Sequence, residues 1–183
     1  LQYLIKKGRI YQEVLSQADA SPDPIISAST HGASGFQEAF IGSNAYRILS
    51  ATDKPVITIR GGSCPVAIRK IVLPMDTTIN SRQKVPFTID VAKIFDAEIH
   101  VVGIQVSKSE REVKSIRTYT GQVAAFIQGK ARVVTNEVWG SNVAEMVVNY
   151  ARSVNADLIS ITTEKTSGLG LIIGNTAHQV LNK

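Results

Sequence analysis

The residues best suited to binding chemistry form a glycine-bearing loop near the start of the sequence. The loop holds Ser29, His31 and Gly32, and after nine intervening residues Gly42 and Ser43 follow at the start of a predicted helix. Small residues let backbone amides approach an anion, and the helix dipole favours negative charge there. The loop therefore suits a phosphate group. The same glycines would serve equally well to pack a strand tightly against a helix, so both interpretations stay open.

A carboxylate marks a second candidate position. Asp76 lies two residues after Pro74, where the short apolar segment 71–74 ends. In open α/β sheets, ligands sit beyond the carboxyl ends of the strands. Asp76 could accept hydrogen bonds there from an exocyclic amine or from ribose hydroxyls. The alternative is an aspartate that caps the following helix.

Other site chemistry is not indicated. The histidines His31, His100 and His178 are dispersed, without a partner at metal-ligand spacing, so we expect no metal site. Cys64 is the single cysteine and stands in a glycine-rich linker, which favours a reducing compartment and a cytoplasmic protein. Neither a P-loop nor a nucleophile elbow occurs, so we expect no catalytic residues.

Charge and hydropathy limit the partners. The net charge is +5, but the 20 Lys and Arg residues are scattered, which argues against a nucleic-acid surface. No apolar run approaches the length of a membrane span. The hydrophobic content of 44% is ordinary for an α/β core.

The elements that would position the candidate groups occur twice, about 132 residues apart. Residues 25–30 lead through a loop to 41–49, and residues 158–163 lead through another loop to 173–181. Each copy reads as a buried strand, a loop, and a glycine that opens a helix. Because solenoid repeats are much shorter, this period indicates a duplicated domain.

Strands alternate with helices through the chain, which predicts a parallel sheet covered by helices on both faces. The predicted strands are residues 1–5, 25–27, 55–60, 71–74, 98–104, 131–134 and 158–162. Residues 1–62 would be the C-terminal half of a first domain, and 67–183 a second domain without its last strand. We therefore expect the chain to be a fragment, cut at both ends.

The motif Ser29-x-x-Gly32, nine residues, Gly42-Ser43 resembles the glycine signature of the universal stress protein family, Gly-x-x-Gly, nine residues, Gly-Ser/Thr. Residues 72–76 look like that family's opening strand with its adenine-contacting aspartate. Residues 100–102 look like its second strand. The resemblance covers essentially the whole chain.

The resemblance implies a flavodoxin-like fold of the adenine-nucleotide α-hydrolase type. It places Val101 against the adenine, beside Asp76. It also implies dimerisation through the last strand of each domain, and binding of ATP or AMP, with Mg²⁺, in some members only. In this chain the last strand would be residues 55–60, which would join a homodimer or an intramolecular pseudo-dimer.

The sequence also departs from the family pattern. Ser29 replaces the first signature glycine. In the second copy, Glu164 stands where the loop glycine belongs, and Asn175 replaces the Ser or Thr after Gly174. A carboxylate repels phosphate. The second copy therefore keeps Asp76 with a degraded phosphate loop, while the first keeps most of the loop without its opening strand.

We therefore expect a module for nucleotide sensing or protein interaction, with ATP or AMP in the first copy, and at most a weak ATPase. One alternative is an ATP-dependent enzyme of the related α/β superfamily. Such enzymes usually carry a Ser-Gly-Gly-x-Asp-Ser or His-x-Gly-His type of loop, and residues 75–78 have neither. The other alternative is a structural pseudo-dimer in which neither site binds a nucleotide.

Overall fold

The computed structural model describes residues 3–29, 42–59, 67–163 and 175–181. In chain order its elements are α1 (Ile10–Asp19), β1 (Ile26–Ser29), α2 (Ser43–Ala51), β2 (Val56–Ile59), β3 (Lys70–Met75), α3 (Asn80–Gln83), α4 (Val85–Phe95), β4 (Glu98–Gln105), α5 (Glu110–Ile127), β5 (Arg132–Trp139), α6 (Val143–Ser153), β6 (Leu158–Ile159) and α7 (Asn175–Leu181). They form two compact units, residues 65–162 and residues 1–64 with 163–183.

The unit of residues 65–162 contains a four-stranded sheet in the order β5-β4-β3-β6. All of its neighbouring strands are parallel. The two central strands, β3 and β4, are almost entirely buried. Continuous apolar runs are typical of parallel strands that are covered on both sides, which explains why these two strands were readily predicted.

Helices cover both faces of this sheet. Successive side chains of a strand point to opposite faces. On β4, His100 Nδ1 hydrogen-bonds to the Tyr150 hydroxyl of α6 at 2.9 Å. The next residue, Val101, belongs to the core cluster that contains Val123 of α5. The predicted parallel sheet with helices on both faces is thus confirmed.

Helix α6 begins after the cap residue Asn142. The Asn142 side chain accepts a hydrogen bond from the Glu145 backbone amide at 3.1 Å, which is the N-cap interaction. The buried side of the helix includes Val147, Tyr150 and Ala151. After the helix, Asn155 adopts a left-handed conformation with φ 51° and turns the chain toward β6.

The unit containing residues 1–64 has a parallel pair of strands, with Ile26 of β1 opposite Val56 of β2. Its core includes Ala18, Ile26 and Ile48. A strand at residues 1–5 was predicted wrongly within the described part, because residues 3–9 form none. Tyr3 is 88% exposed, so its weak alternation has no sheet to pack against. The duplication and its domain boundaries stay predictions.

Among the residues that the structure describes, no helix combines the length and apolarity needed to cross a membrane.

Candidate functional site

The carboxyl end of β3 is the point where the strand order of the sheet reverses. The chain passes from β3 to β4 on one side, whereas β6 returns to pair with β3 on the other. A crevice at such a switch point is the usual ligand site of an open α/β sheet. Asp76 follows β3 directly, and Ser160 follows β6, so the topology places both at this end.

Short polar contacts hold the β6 end of this region. The Ser160 amide donates to the Val72 carbonyl at 2.9 Å, which extends the pairing beyond β6. Ser160 Oγ lies 2.8 Å from Thr88 Oγ1 of α4. Thr162 Oγ1 donates to the Asn80 carbonyl at 3.2 Å. The segment after β6 is therefore fixed against the first turns of α3 and α4.

The Asp76 carboxylate is exposed and oriented by its own turn. Its Oδ1 accepts hydrogen bonds from the Thr78 amide at 2.7 Å and from Thr78 Oγ1 at 2.6 Å. Helix α3 begins at Asn80 with Ile79 at its N-cap, so Asp76 caps the preceding turn and not the helix itself. Oδ2 accepts neither bond from Thr78.

Although the residue is exposed, partial desolvation of the Asp76 carboxylate opposes its ionisation. The hydrogen bonds from Thr78 and Ser81 and the charge of Lys84 outweigh this effect and lower the pKa of the carboxyl. The group is therefore an ionised acceptor at neutral pH. An ionised carboxylate can accept a hydrogen bond from an amine or from a hydroxyl group.

Lys84 is a functional candidate that the sequence reasoning missed. Burial lowers the pKa of its ammonium group to about 8, against the opposing attraction of Asp76. Ser81, Lys84 and Thr88 follow helical spacing, so they share one side of the chain leading into α4. That spacing was the available signal.

The glycine loop is described only at its two ends. Ser29 is the last residue of β1 and stands opposite Ile59 of β2. Gly42 is the N-cap of α2, with its carbonyl accepting from the Tyr46 amide at 3.0 Å, and Ser43 is exposed in the first turn. His31 and Gly32 lie outside the described residues. The predicted phosphate site therefore stays a prediction.

The remaining predicted site residues are not brought together by the described structure. Val101 is fully buried in the core beneath α5, so the predicted contact between its side chain and an adenine stays a prediction. Asn175 is the first residue of α7, and its side chain lies outside the described part of the structure. Gly174 and Glu164 lie outside the described residues. Within the described ranges, no three His, Cys, Asp or Glu side chains are grouped to hold a metal ion.

Comparison with known proteins agrees with this fold. The model of the universal stress protein family matches residues 67–183, more than half of the chain. No curated protein sequence gives a significant match.

Solved structures with the same fold fall into two lengths. A universal stress protein from Archaeoglobus fulgidus DSM 4304 has a TM-score of 0.75 at 17% identity, over 94% of this chain and 62% of that one. A putative universal stress protein from Pseudomonas aeruginosa UCBPP-PA14 has a TM-score of 0.69 at 19% identity, over 97% and 66%. The shorter UspA protein from Lactobacillus plantarum has a TM-score of 0.56 at 14% identity, over 64% and 92%.

This chain thus spans about two thirds of the two longer relatives, and a single shorter relative matches about two thirds of it. At these identities the likeness concerns the fold alone. The family model extends over β3, over Asp76 after it, and over the region of β6. On that match, the chain belongs to the universal stress protein family.

Proposed function

We propose that this chain is a stress-response module that senses adenine nucleotides and does not turn them over. The observation that carries the proposal is the ionised, pre-oriented Asp76 carboxylate at the switch point between β3 and β6. Its second oxygen can accept a hydrogen bond from the adenine amine or from a ribose hydroxyl. Because Thr78 already fixes the carboxylate, little side-chain entropy is lost when a ligand binds.

In our proposal, the phosphate loop of the second copy contributes little to the binding of the nucleotide. Glu164 occupies the position of the loop glycine, and Asn175 that of the Ser or Thr. A carboxylate near phosphate oxygens is repelled, most strongly where water is partly excluded. The adenosine part of ATP or AMP would therefore supply most of the affinity. Gly32, Gly42 and Ser43 keep the phosphate-binding pattern in the first copy, which is the better candidate for a triphosphate.

Nuclear magnetic resonance tests the adenosine site directly. We expect adenosine to shift the backbone amides of Thr78 and Ser81 in a saturable manner. Asp76→Ala should abolish these shifts, whereas Asp90→Ala, which removes an exposed carboxylate from α4, should preserve them. Saturable binding that survives Asp76→Ala would contradict the proposal.

Protein interaction is the second part of the proposed role, and a contact between α2 and α7 supports it. The rings of Tyr46 and His178 meet edge to face, with centroids 6.4 Å apart and planes at 82°. Each is the fourth residue after the glycine that opens its helix in the repeat, Gly42 or Gly174. Contacts between equivalent positions are the hallmark of a two-fold interface.

The residues that precede Tyr46 and His178 are buried to the same degree. Ala45 and Ala177 are equivalent in the repeat, and each is 3% exposed. We propose that the two copies associate through these helices as an intramolecular pseudo-dimer.

In the proposal, β2 pairs with a further strand, because an unpaired strand edge invites pairing. Hydrogen exchange tests this part: slow exchange of the Val56 and Thr58 amides, which point away from β1, is expected in the longest available form of the protein, and fast exchange of both would contradict it.

A further inference from the structure

Strand β5 lies at one edge of the four-stranded sheet, and β4 is its neighbour in the described structure. All of its residues, Arg132–Trp139, pair with β4 in continuous register, so no bulge interrupts this strand. The unpaired edge of a strand presents backbone donors and acceptors that can bond to another chain. The outer edge of β5 is therefore able to pair with a further strand.

The odd-numbered residues of β5 direct their backbone groups to this outer edge. Successive residues of a strand direct these groups to opposite sides in the plane of the sheet. The Gly140 amide donates to the Gln105 carbonyl of β4 at 3.2 Å, which assigns the even-numbered positions to β4. The Glu137 amide agrees with this assignment, since it donates to the side-chain atom Asn136 Oδ1 at 2.8 Å. The residues that face outward are Val133, Thr135, Glu137 and Trp139.

The edge carries few of the features that keep edge strands from pairing. Natural proteins protect such an edge with lysine or proline, with a bulge, or by keeping the strand short. Residues 132–139 contain neither lysine nor proline. The charge of Glu137 is already paired with Arg117, at 2.7 Å. Half of the strand is β-branched, which favours pairing in a sheet; these residues are Val133, Val134, Thr135 and Val138.

Exposed apolar side chains stand on both faces of the sheet at this edge. Val134 is 39% exposed, and Trp139 is 53% exposed. The two side chains point to opposite faces, because their positions differ by an odd number. A helix laid on one face would cover only one of them. A strand added at the edge brings neighbouring side chains to both faces and would contact both residues.

A second copy of β5 can supply that strand about a two-fold axis. An axis perpendicular to the sheet keeps each face on its own side, so an odd-numbered residue opposes an odd-numbered one. One residue must then oppose itself. With the axis at Asn136, side chains of like polarity face each other. The pairs are Val133 with Trp139, Val134 with Val138, and Thr135 with Glu137 of the second copy.

The adjacent registers match less well. An axis at Thr135 would place Val133 opposite Glu137, and an axis at Glu137 would place two carboxylates opposite each other, which destabilises a sheet. With the axis at Asn136, the two Asn136 side chains can exchange hydrogen bonds, because an amide group both donates and accepts. The Glu137 amide would then exchange Asn136 Oδ1 for the Thr135 carbonyl of the second copy.

We propose that β5 is a homodimer interface, in which two copies of this chain join their sheets in antiparallel fashion with the two Asn136 residues opposite each other. This interface shares no residue with β2 or with the contact between α2 and α7, and it does not depend on the proposed nucleotide site. Stable dimers usually bury about 800 Å² per partner, and a single pair of strands buries less. The dimer should therefore be weak, with a dissociation constant of about 10–100 µM.

Analytical ultracentrifugation tests the self-association. We expect the average mass to rise from 19.8 kDa toward twice that value as the concentration rises from about 5 to 500 µM. Val134→Lys should weaken association about tenfold or more, because it places a charge opposite Val138. Thr135→Pro should do the same, because it removes an outward amide and spares the pairing with β4. Ile94→Lys, which changes an exposed apolar residue of α4, is the control and should have no effect.

A disulfide tests the register. In a background with Cys64→Ser, Asn136→Cys places two thiols at opposing residues whose Cα atoms lie about 4.5 Å apart, within reach of a disulfide. Val134→Cys is the matched control, because the two copies of that residue are offset by about 13 Å along the strands in this register. We expect mild oxidation to cross-link Asn136→Cys into a dimer and to leave Val134→Cys largely monomeric.

A monomer at every concentration up to about 500 µM would overturn the proposal. Association that the β5 variants leave unchanged, or cross-linking as fast at position 134 as at position 136, would overturn it as well. If Thr135→Pro does not fold, Val134→Lys carries the same test, since it changes an exposed side chain.

Discussion

Lys70 and Asp157 are joined by hydrogen bonds in both directions. The Lys70 amide donates to Asp157 Oδ2 at 3.0 Å, and the Asp157 amide donates to the Lys70 carbonyl at 3.0 Å. Oδ2 also accepts from the Arg69 amide at 2.8 Å. The pair fixes the amino end of β3 against the start of β6. It therefore sets the register in which both strands reach the switch point.

Asp157→Ala should lower the free energy of unfolding of this unit by roughly 2 kcal/mol, because two backbone amides lose a charged acceptor. Urea unfolding followed by circular dichroism measures the loss. Asp157→Asn keeps an acceptor oxygen and should cost less than half as much. Equal losses in the two variants would show that the carboxylate oxygen is not the stabilising group.

The central strands of the sheet could be predicted from sequence because burial on both faces makes them continuous apolar runs. The prediction for β3 was residues 71–74 and that for β4 was 98–104, against Lys70–Met75 and Glu98–Gln105 in the structure. The edge strand β5 was predicted as 131–134 but extends to Trp139. Its later residues, including Thr135 and Glu137, are polar, since one edge of this strand has no neighbour in the described sheet.

The candidate site was predictable only in part, for a related reason. Asp76 could be found because it ends an apolar strand. Lys84 and Ser160 come from two different elements, and only the folded sheet brings those elements to one end. The pKa of Lys84 likewise depends on its burial in the folded chain. No spacing rule within one helix encodes that burial.

Stability should depend on pH through Lys84. Its pKa is about 8 in the folded chain and near 10.5 in the unfolded chain, so the unfolded chain binds more protons between these values. The free energy of unfolding should therefore rise with pH from about 8 to 10, by at most roughly 3 kcal/mol. Urea titrations at successive pH values measure it.

Two variants separate this effect from other titrations. Lys84→Met should remove most of the rise. Lys93→Met removes an exposed lysine from α4, the helix that follows Lys84, and should leave the rise intact. If the free energy of unfolding of Lys84→Met rises with pH by the same amount, the rise comes from other titrating groups.

The buried pair His100 and Tyr150 should be sensitive to loss of one hydroxyl. Tyr150→Phe leaves His100 Nδ1 without the partner that lies 2.9 Å away, within a core where both residues are less than a tenth exposed. We expect a loss of about 1–2 kcal/mol in unfolding free energy. Tyr119→Phe, which keeps the ring that packs against Arg82, should cost less. If Tyr150→Phe leaves the free energy of unfolding unchanged, the assigned hydrogen bond is contradicted.

The contact between Tyr46 and His178 should appear as an energetic coupling. A double-mutant cycle with Tyr46→Ala and His178→Ala should give a coupling of about 0.5–1.5 kcal/mol, typical of aromatic pairs. The exposed Thr176 of α7 provides the control, because Thr176→Ala should combine additively with Tyr46→Ala. Additivity in both cycles would remove the support for paired copies.

Calorimetry that compares adenosine with magnesium-ATP tests the central claim most directly. We predict that both bind to the site at Asp76 with dissociation constants weaker than about 100 µM and within about threefold of each other, since the phosphates add little there. Binding sensitive to Gly42→Val but not to Asp76→Ala would belong to the first copy. Low-micromolar binding of magnesium-ATP that Asp76→Ala abolishes would contradict the account.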